Sequence, residues 1–352
     1  IKSICQISQN ELCLGTDGKG AKIFNIPKQL ITDYPFDNNY LDSGTSKVHS
    51  VLKDNAGNLW IAIYQKGVMM IPAQPNSFKY IGYKSINKNI IGSNCITSLC
   101  RDHEGILWIG TDNDGIYGIT TELKQRVHYA PHDSPSSVPS TVFGLYEDSE
   151  RNLWFGSYTN GLGRLDKKTG QCSYLQNLTD KHGNRIQRVY DLVEDQDKRL
   201  WIATMGAGLF YYDLKTGQSV YDPKFNAATE KYKWISCLLY AGDNHLYVGT
   251  YDGIRCIDLS TDDFKTEEIL SRHIIHSLYE DPQGNIWIGS SDGLAEWNPQ
   301  TRQLKTYTTA HGLSSNAVYA IKGDGQDNLW ISTNAGMSRF NLNSFPCRPS
   351  SA

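Results

Sequence analysis

One short phrase recurs along the chain, and few folds can accommodate that. It reads LWIGTDNDG at 107–115 and returns as LCLGTDGKG (12–20), LWIAIYQKG (59–67), LWFGSYTNG (153–161) and LWIATMGAG (200–208). LYVGTYDG (246–253), IWIGSSDG (286–293) and LWISTNAG (329–336) follow. The eight copies lie 40–48 residues apart, a period that marks propellers and solenoids.

Each copy sits in a longer unit. Upstream lies an alternating run: VHSVLKD (48–54), ITSLCRD (96–102), VFGLYED (142–148), VYDLVED (189–195) or IHSLYED (275–281). Such alternation predicts a strand with every second residue buried. The run ends in Asp and a turn: DNAGN (54–58), DHEGI (102–106), DPQGN (281–285). There Asp bonds its own backbone and Gly takes a positive φ. The phrase itself is the second strand. A polar loop ending in Gly leads to a third strand, such as GLGRLD (161–166) or GLFYYD (208–213). A fourth carries aromatics: FKYIGY (78–83), RVHYA (126–130), CSYLQ (172–176), LKTYT (304–308).

One unit is thus a four-stranded antiparallel meander with two apolar faces. Stacking units around an axis buries both, which predicts an all-β fold, a β-propeller of four-stranded antiparallel blades. The column Trp60, Trp108, Trp154, Trp201, Trp287 and Trp330, with Cys13 and Tyr247 in the variant copies, is expected to pack between neighbouring sheets. Repeat count gives eight blades. The alternative is seven, with the first unit belonging to a neighbouring propeller. The repeat covers nearly the whole chain, so one domain is assigned to 1–345, with 346–352 as a tail. Its units fall near 1–45, 46–93, 94–139, 140–186, 187–232, 233–272, 273–314 and 315–345. Residues 26–47 read as a long polar connection, and the last unit lacks a good fourth strand.

A net charge of −3 disfavours a grip on phosphate backbones, so no nucleic-acid partner is expected. No apolar run is long enough to span a bilayer, and no signal peptide is visible. The chain starts inside a strand (IKSICQI), which suggests a trimmed segment. The eight Cys residues show no zinc spacing. They are read as buried free thiols, with a Cys5–Cys13 disulfide as the alternative.

The unit S-[IVL]-x-x-D-x-x-G-N-L-W-I-G-T-x-x-G-L, followed by F/Y-x-x-Y, resembles the two-component regulator propeller repeat. HGLSSNAVYAI (311–321) and NLWISTNAGMSRFN (328–341) resemble later blades of the sensor region of hybrid two-component systems. In that family, tandem seven-bladed propellers lie outside the inner membrane. An immunoglobulin-like connector, a membrane helix, a histidine kinase and a response regulator follow. Family members detect polysaccharide breakdown products. The resemblance therefore implies a periplasmic, non-catalytic, carbohydrate-sensing segment of an inner-membrane histidine kinase. It implies an oligosaccharide ligand, no cofactor, membrane attachment only through segments outside this sequence, and a homodimer through the parent receptor.

Fold does not give function; the site does. The Asp turns keep recurring on the face opposite the G-[TS] loops, as structural parts do, with AGDNH (241–245) in their place in the sixth unit. The residue after G-[TS] varies from copy to copy: Asp17, Tyr64, Asp112, Tyr158, Met205, Tyr251, Ser291, Asn334. Variation on one face is what an asymmetric ligand site requires. Tyr64, Tyr158 and Tyr251 offer apolar faces to sugar rings, and Asp112, Asn113, Asn160 and Asp252 offer polar groups to hydroxyls. Trp234, His49, His276, Tyr190 and Arg188 stand at the starts of first strands and extend this mouth. The competing reading is that these loop tips are simply solvated. DNDG (112–115) lacks the downstream Glu of a calcium loop, so no metal is expected. Glu147–Asp148 and similar pairs point to opposite faces of a strand, so no catalytic residue is assigned. The alternatives to a sensor are a propeller lyase or glycan hydrolase using His49 and His276, and a scaffold for receptor dimerisation.

Overall fold

Each copy of the phrase becomes the second strand of an antiparallel sheet. The structure, a computed structural model, describes residues 1–34, 45–65, 67–71, 73, 91–93, 95–120, 126–180, 182–221, 226, 233–261, 264–325 and 327–343. Among these residues there are eight sheets in chain order, six of four strands and two, the second and eighth, of three. In the fifth sheet Val189–Glu194, Arg199–Thr204, Leu209–Asp213 and Gln218–Val220 pair in that order. This is the blade pattern of an all-β propeller. Fourth strands occur at Arg126–Tyr129, Cys172–Tyr174 and Gln303–Tyr307, on three of the aromatic runs. The run 78–83 lies outside the described residues. One expectation is corrected: within the supposed connection 26–47, Leu30–Asp33 is a strand pairing with Lys22–Asn25. Gln29 takes φ 50° to close that turn, and the β-branched Ile31 and Thr32 suit the strand that follows.

The chain divides into two compact units, Ile1–Asn94 and Cys95–Ala352. The first holds sheets one and two, the second holds sheets three to eight. The division falls within a residue of the sequence boundary between 46–93 and 94–139. The domain expected over 1–345 covers both units.

Within each unit the core lies in seams between consecutive sheets. Trp201, Ala203 and Leu209 of the fifth sheet meet Ile235, Leu238 and Val248 of the sixth. Trp108 meets Val142 and Phe155, Trp154 meets Val189 and Ile202, and Trp287 meets Val318 and Ile331. Tyr247 and Cys13 fill the same place in their seams. Burying one such aromatic side chain removes about 150–250 Å² from water. Two members of the column depart from the expectation. Trp60 is 39% exposed and Trp330 41%, because each belongs to the last sheet of its unit and no following sheet of that unit covers it.

The Asp turn is a local lock. In the turn from Asp281, Oδ1 accepts the backbone N–H of Gln283 and Asn285, while Oδ2 accepts Asn285 Nδ2 and Trp287 Nε1. The indole-to-carboxylate bond recurs at 2.7–2.8 Å for Trp60–Asp54, Trp108–Asp102, Trp154–Asp148 and Trp201–Asp195. It explains why Asp stands six residues before Trp. Gly57, Gly105 and Gly284 take the positive φ, and Arg151 and Lys198 adopt it in the other two turns.

Two further letters of the phrase acquire reasons. A Cβ on Gly156 would lie 2.5 Å from the Val189 carbonyl oxygen of the next sheet. The Thr or Ser after this position staples its loop: Thr111, Ser157, Thr204, Thr250 and Ser290 donate to the carbonyl of the Gly that closes it. Cys5 and Cys13 face each other in register yet are free thiols, as are Cys100, Cys172, Cys237 and Cys256, whereas Cys95 is exposed, not buried as expected. Burial pushes the Cys13 thiol up to about 11 and Cys172 to about 12. Cys347 lies outside the described residues.

Candidate functional site

The hairpin of first and second strands has two ends, and the two classes of variable residue meet at one of them. The residue after G-[TS] donates its backbone N–H to the residue just before the first strand. The pairs are Tyr64 to Lys47, Asp112 to Cys95, Met205 to Arg188, Tyr251 to Trp234 and Ser291 to Ile274, at 2.9–3.1 Å. The Asp turns close the other end. The predicted mouth is therefore one edge of each sheet, opposite the structural turns.

The first strands carry a bulge just inside this edge. The register shifts between Val48 and Ser50, Val189 and Asp191, Ile275 and Ser277, and Val318 and Ala320. His49, Tyr190, His276 and Tyr319 are the extra residues, and a bulge re-aims the side chain it carries. His276 and Tyr319 from neighbouring sheets approach to 4.9 Å between ring centroids. Phe143 lies 4.9 Å from Tyr190 and 5.9 Å from Tyr158.

Variable residues of the fifth and sixth sheets meet at a cleft of about 330 Å³. Arg188, Met205, Gly206 and Trp234 line it. Met205 and Trp234 are joined as a β-bridge. Trp234 is 40% exposed, with the Tyr251 ring 6.0 Å away. The Arg188 guanidinium lies over the Tyr158 ring at 5.0 Å. Arg185 also lines the cleft and reaches the Asn160 carbonyl at 3.4 Å. The structure thus brings Tyr158, Asn160, Arg188, Trp234 and Tyr251 together, with Asp252 next in the chain and its carbonyl tied to the Arg272 N–H. The cleft offers an aromatic wall, a thioether and two guanidinium groups, a set suited to gripping a ring with polar substituents.

Other predicted residues lie elsewhere. Tyr64 is in the first unit, stacked on His49 at 5.1 Å. Asp112 Oδ1 accepts the Thr141 hydroxyl at 2.7 Å, and Asn113 is an exposed loop tip at φ 78°. Sequence reading missed Arg185, Phe143 and Tyr319. Phe143 and Tyr319 were signalled by their column, the second residue of the first strand, which also holds His49, Tyr190 and His276.

In six of the first strands a small residue stands behind the bulge: Ser50, Ser98, Gly144, Cys237, Ser277, Ala320. In the fifth sheet the place belongs to Asp191. Its Oδ2 accepts the Leu238 N–H of the next sheet at 2.8 Å, and its Oδ1 the Leu192 N–H. Burial raises this carboxyl to about 6, against the pull of those two donors.

Asp102, His103 and Glu147 gather at the Asp-turn end. His103 Nδ1 is 2.8 Å from Glu147, and the Lys167 ammonium bonds both Asp102 and Glu147. Burial opposes ionisation of Asp102, but the Trp108 indole and Lys167 outweigh it and hold the carboxyl below its usual range. A protein cation already sits between these carboxylates. Glu147 and Asp148 serve different partners, as their opposite facing predicts.

Comparison with known proteins agrees with this architecture. The model of the two component regulator propeller family matches residues 90–113, 136–159, 185–206, 269–292 and 312–335. Each matched stretch contains a bulged first strand, the Asp turn or its variant, and the second strand. Histidine kinase P4 of Formosa agariphila is 23% identical over 325 residues, which is 89% of this chain and 20% of that protein. Among solved structures, the extracellular domain described for a hybrid two component system, BT4673 of B. thetaiotaomicron, aligns with a TM-score of 0.66. It is 20% identical, over 98% of this chain and 47% of that one. PorZ of Porphyromonas gingivalis, a surface component of the type-IX secretion system, aligns at 0.56 and 11% identity over 94% of this chain and 61% of that one. At these identities the solved structures speak for the propeller fold. The chain spans about a fifth of the curated relative and about half of the BT4673 domain.

Proposed function

Taking as premise that the chain is built of two-component regulator propeller repeats, we propose that it is the ligand-sensing segment of a two-component receptor. On this reading it stands outside the cytoplasm, in the periplasm, and binds an oligosaccharide or glycan breakdown product. Occupancy passes to a kinase elsewhere in the protein. The observation that carries the reading is the cleft at Trp234. Three residues that differ between repeats, Arg188, Met205 and Trp234, meet there, whereas those that recur are spent on locks and seams. A half-exposed Trp beside a Tyr is a suitable platform for a sugar ring.

The relay works by preference: ligand must favour one arrangement of the receptor, such as one geometry of a homodimer, over another. A catalytic alternative would require an acid or base at the mouth. His276 meets an aromatic ring, and burial lowers its pKa. Among the described residues no hydrogen bond or ion pair joins it to a carboxylate, so its surroundings do not favour that alternative.

Calorimetry against a glycan panel, with Trp234→Ala beside the parent chain, tests the proposal. Saturable heat lost in the variant is expected. Binding that survives Trp234→Ala unchanged would remove this cleft from consideration.

A further inference from the structure

We propose that the ligand of this cleft is anionic, a saccharide carrying a carboxylate or a sulfate ester, held by Arg185 and Arg188. The proposal rests on the sugar-binding reading above and narrows it. The chain has more acidic than basic residues, 37 against 34, and two of its arginines are matched by carboxylates. Arg199 pairs with Asp195 and Asp197, and Arg302 with Glu267. Among the described residues Arg185 and Arg188 have no such partner. The one carboxylate that lines the cleft, Asp180, is committed to a turn of its own. Its Oδ1 accepts the N–H of His182 and Asn184, and its Oδ2 accepts Asn184 Nδ2.

The two guanidinium groups are placed as well as unmatched by a carboxylate. The backbone of Arg185 bridges Thr179, and the Arg188 carbonyl accepts the Met205 N–H at 3.1 Å. Arg188 lies over the Tyr158 ring, 5.0 Å from its centroid. A guanidinium held by its face keeps its N–H edge for a planar or tetrahedral oxyanion, which it grips with two parallel bonds. Trp234 supplies the facing wall, and Gly206 keeps it clear: a Cβ there would lie 3.8 Å from the indole. A ring against Trp234 would then present a charged substituent to the arginines. Neutral sugars satisfy the Trp wall alone.

The test titrates the chain with three probes: galacturonic acid oligomers, a sulfated chondroitin disaccharide and a neutral cello-oligosaccharide. One or both anionic probes should bind at least about 10-fold more tightly than the neutral one, the difference one charge-assisted contact makes. The preference should shrink as salt is raised, because exposed charges are screened. Comparison of the two anionic arms separates carboxylate from sulfate. Arg188→Gln and Arg185→Gln should each weaken the anionic probe by about 10-fold, and the double variant should abolish the discrimination. Trp234→Ala should weaken all binders alike. An unchanged thermal midpoint in each arginine variant shows that the fold is kept. If the neutral probe binds as tightly, or the arginine variants bind as the parent does, the anionic assignment is overturned while sugar binding stands. If no probe binds, sugar binding and the assignment fall together.

Discussion

Trp201 Nε1 donates to Asp195 Oδ2 at 2.7 Å, across a turn of the same hairpin, and both residues are buried. The carboxylate also accepts the N–H of Asp197 and Arg199 and the Arg199 Nε. We predict that Trp201→Phe, which keeps most of the apolar volume but removes the donor, destabilises the fold by about 1–3 kcal/mol. Asp195→Ala should cost more, since it strands an indole, a guanidinium and two backbone donors at once. Urea unfolding of both variants checks the order. The reverse order would mean that the seam, rather than the turn, sets the strength of this hairpin.

Gly156 faces the next sheet with no room for a side chain: its Cβ would meet the Val189 carbonyl oxygen and Cγ1 at 2.5 and 2.8 Å. Gly156→Ala is predicted to cost about 1–3 kcal/mol through forced separation of the two sheets. Thermal unfolding would read this as a lower midpoint. An unshifted midpoint would show that the fourth and fifth sheets can slide apart at no cost.

Asp191 predicts a pH dependence. Its folded carboxyl titrates at about 6, above the unfolded value of about 3.9. The folded state therefore holds its proton over a window where the unfolded state has lost it. This contribution to stability falls as pH rises from 4 to 6 and is level above. The gap corresponds to about 3 kcal/mol at neutral pH. Asp191→Asn, which keeps an oxygen for the Leu238 N–H, should flatten that window and raise stability at pH 7. Denaturation midpoints measured at pH 4, 5, 6 and 7 decide it. Parallel curves for parent and variant would exclude Asp191 as the source.

Thr204 donates to the Gly208 carbonyl and so fixes the loop that carries Met205 and Gly206 into the cleft. Thr204→Val should cost about 1 kcal/mol of stability and also weaken ligand binding, because the loop must then be ordered by the ligand. Ser290→Ala, the same change in a loop away from the cleft, should affect stability alone. Equal ligand affinity in the two variants would refute the link between staple and cleft.

Much of the fold was legible because its rules are local. Asp, Asn and Trp of one turn lie within seven residues, so their spacing shows in the sequence. The strand at Leu30–Asp33 was missed because it carries no aromatic and follows an irregular turn. The exposure of Trp60 and Trp330 was illegible for another reason: burial of that column depends on the sheet that follows, which spacing does not reveal. The site divides similarly. Tyr158, Arg188, Trp234 and Tyr251 stood out by comparing equivalent positions. Arg185 did not, because it follows an additional Asp turn, DKHGN (180–184), that stands outside the repeated phrase. Tyr64 showed the same signal as Tyr158, yet belongs to the other compact unit.

The Asp–Trp bond closes inside its own hairpin, and only at Asp102, among the described residues, does the Lys167 ammonium beside the next sheet add to it. Duplication or loss of a whole repeat by recombination would therefore carry a finished hairpin with it, leaving only the seams to be rejoined. A lineage built this way can change its number of sheets, or trade the rim residues of one sheet for those of another, without inventing a new way to hold a strand.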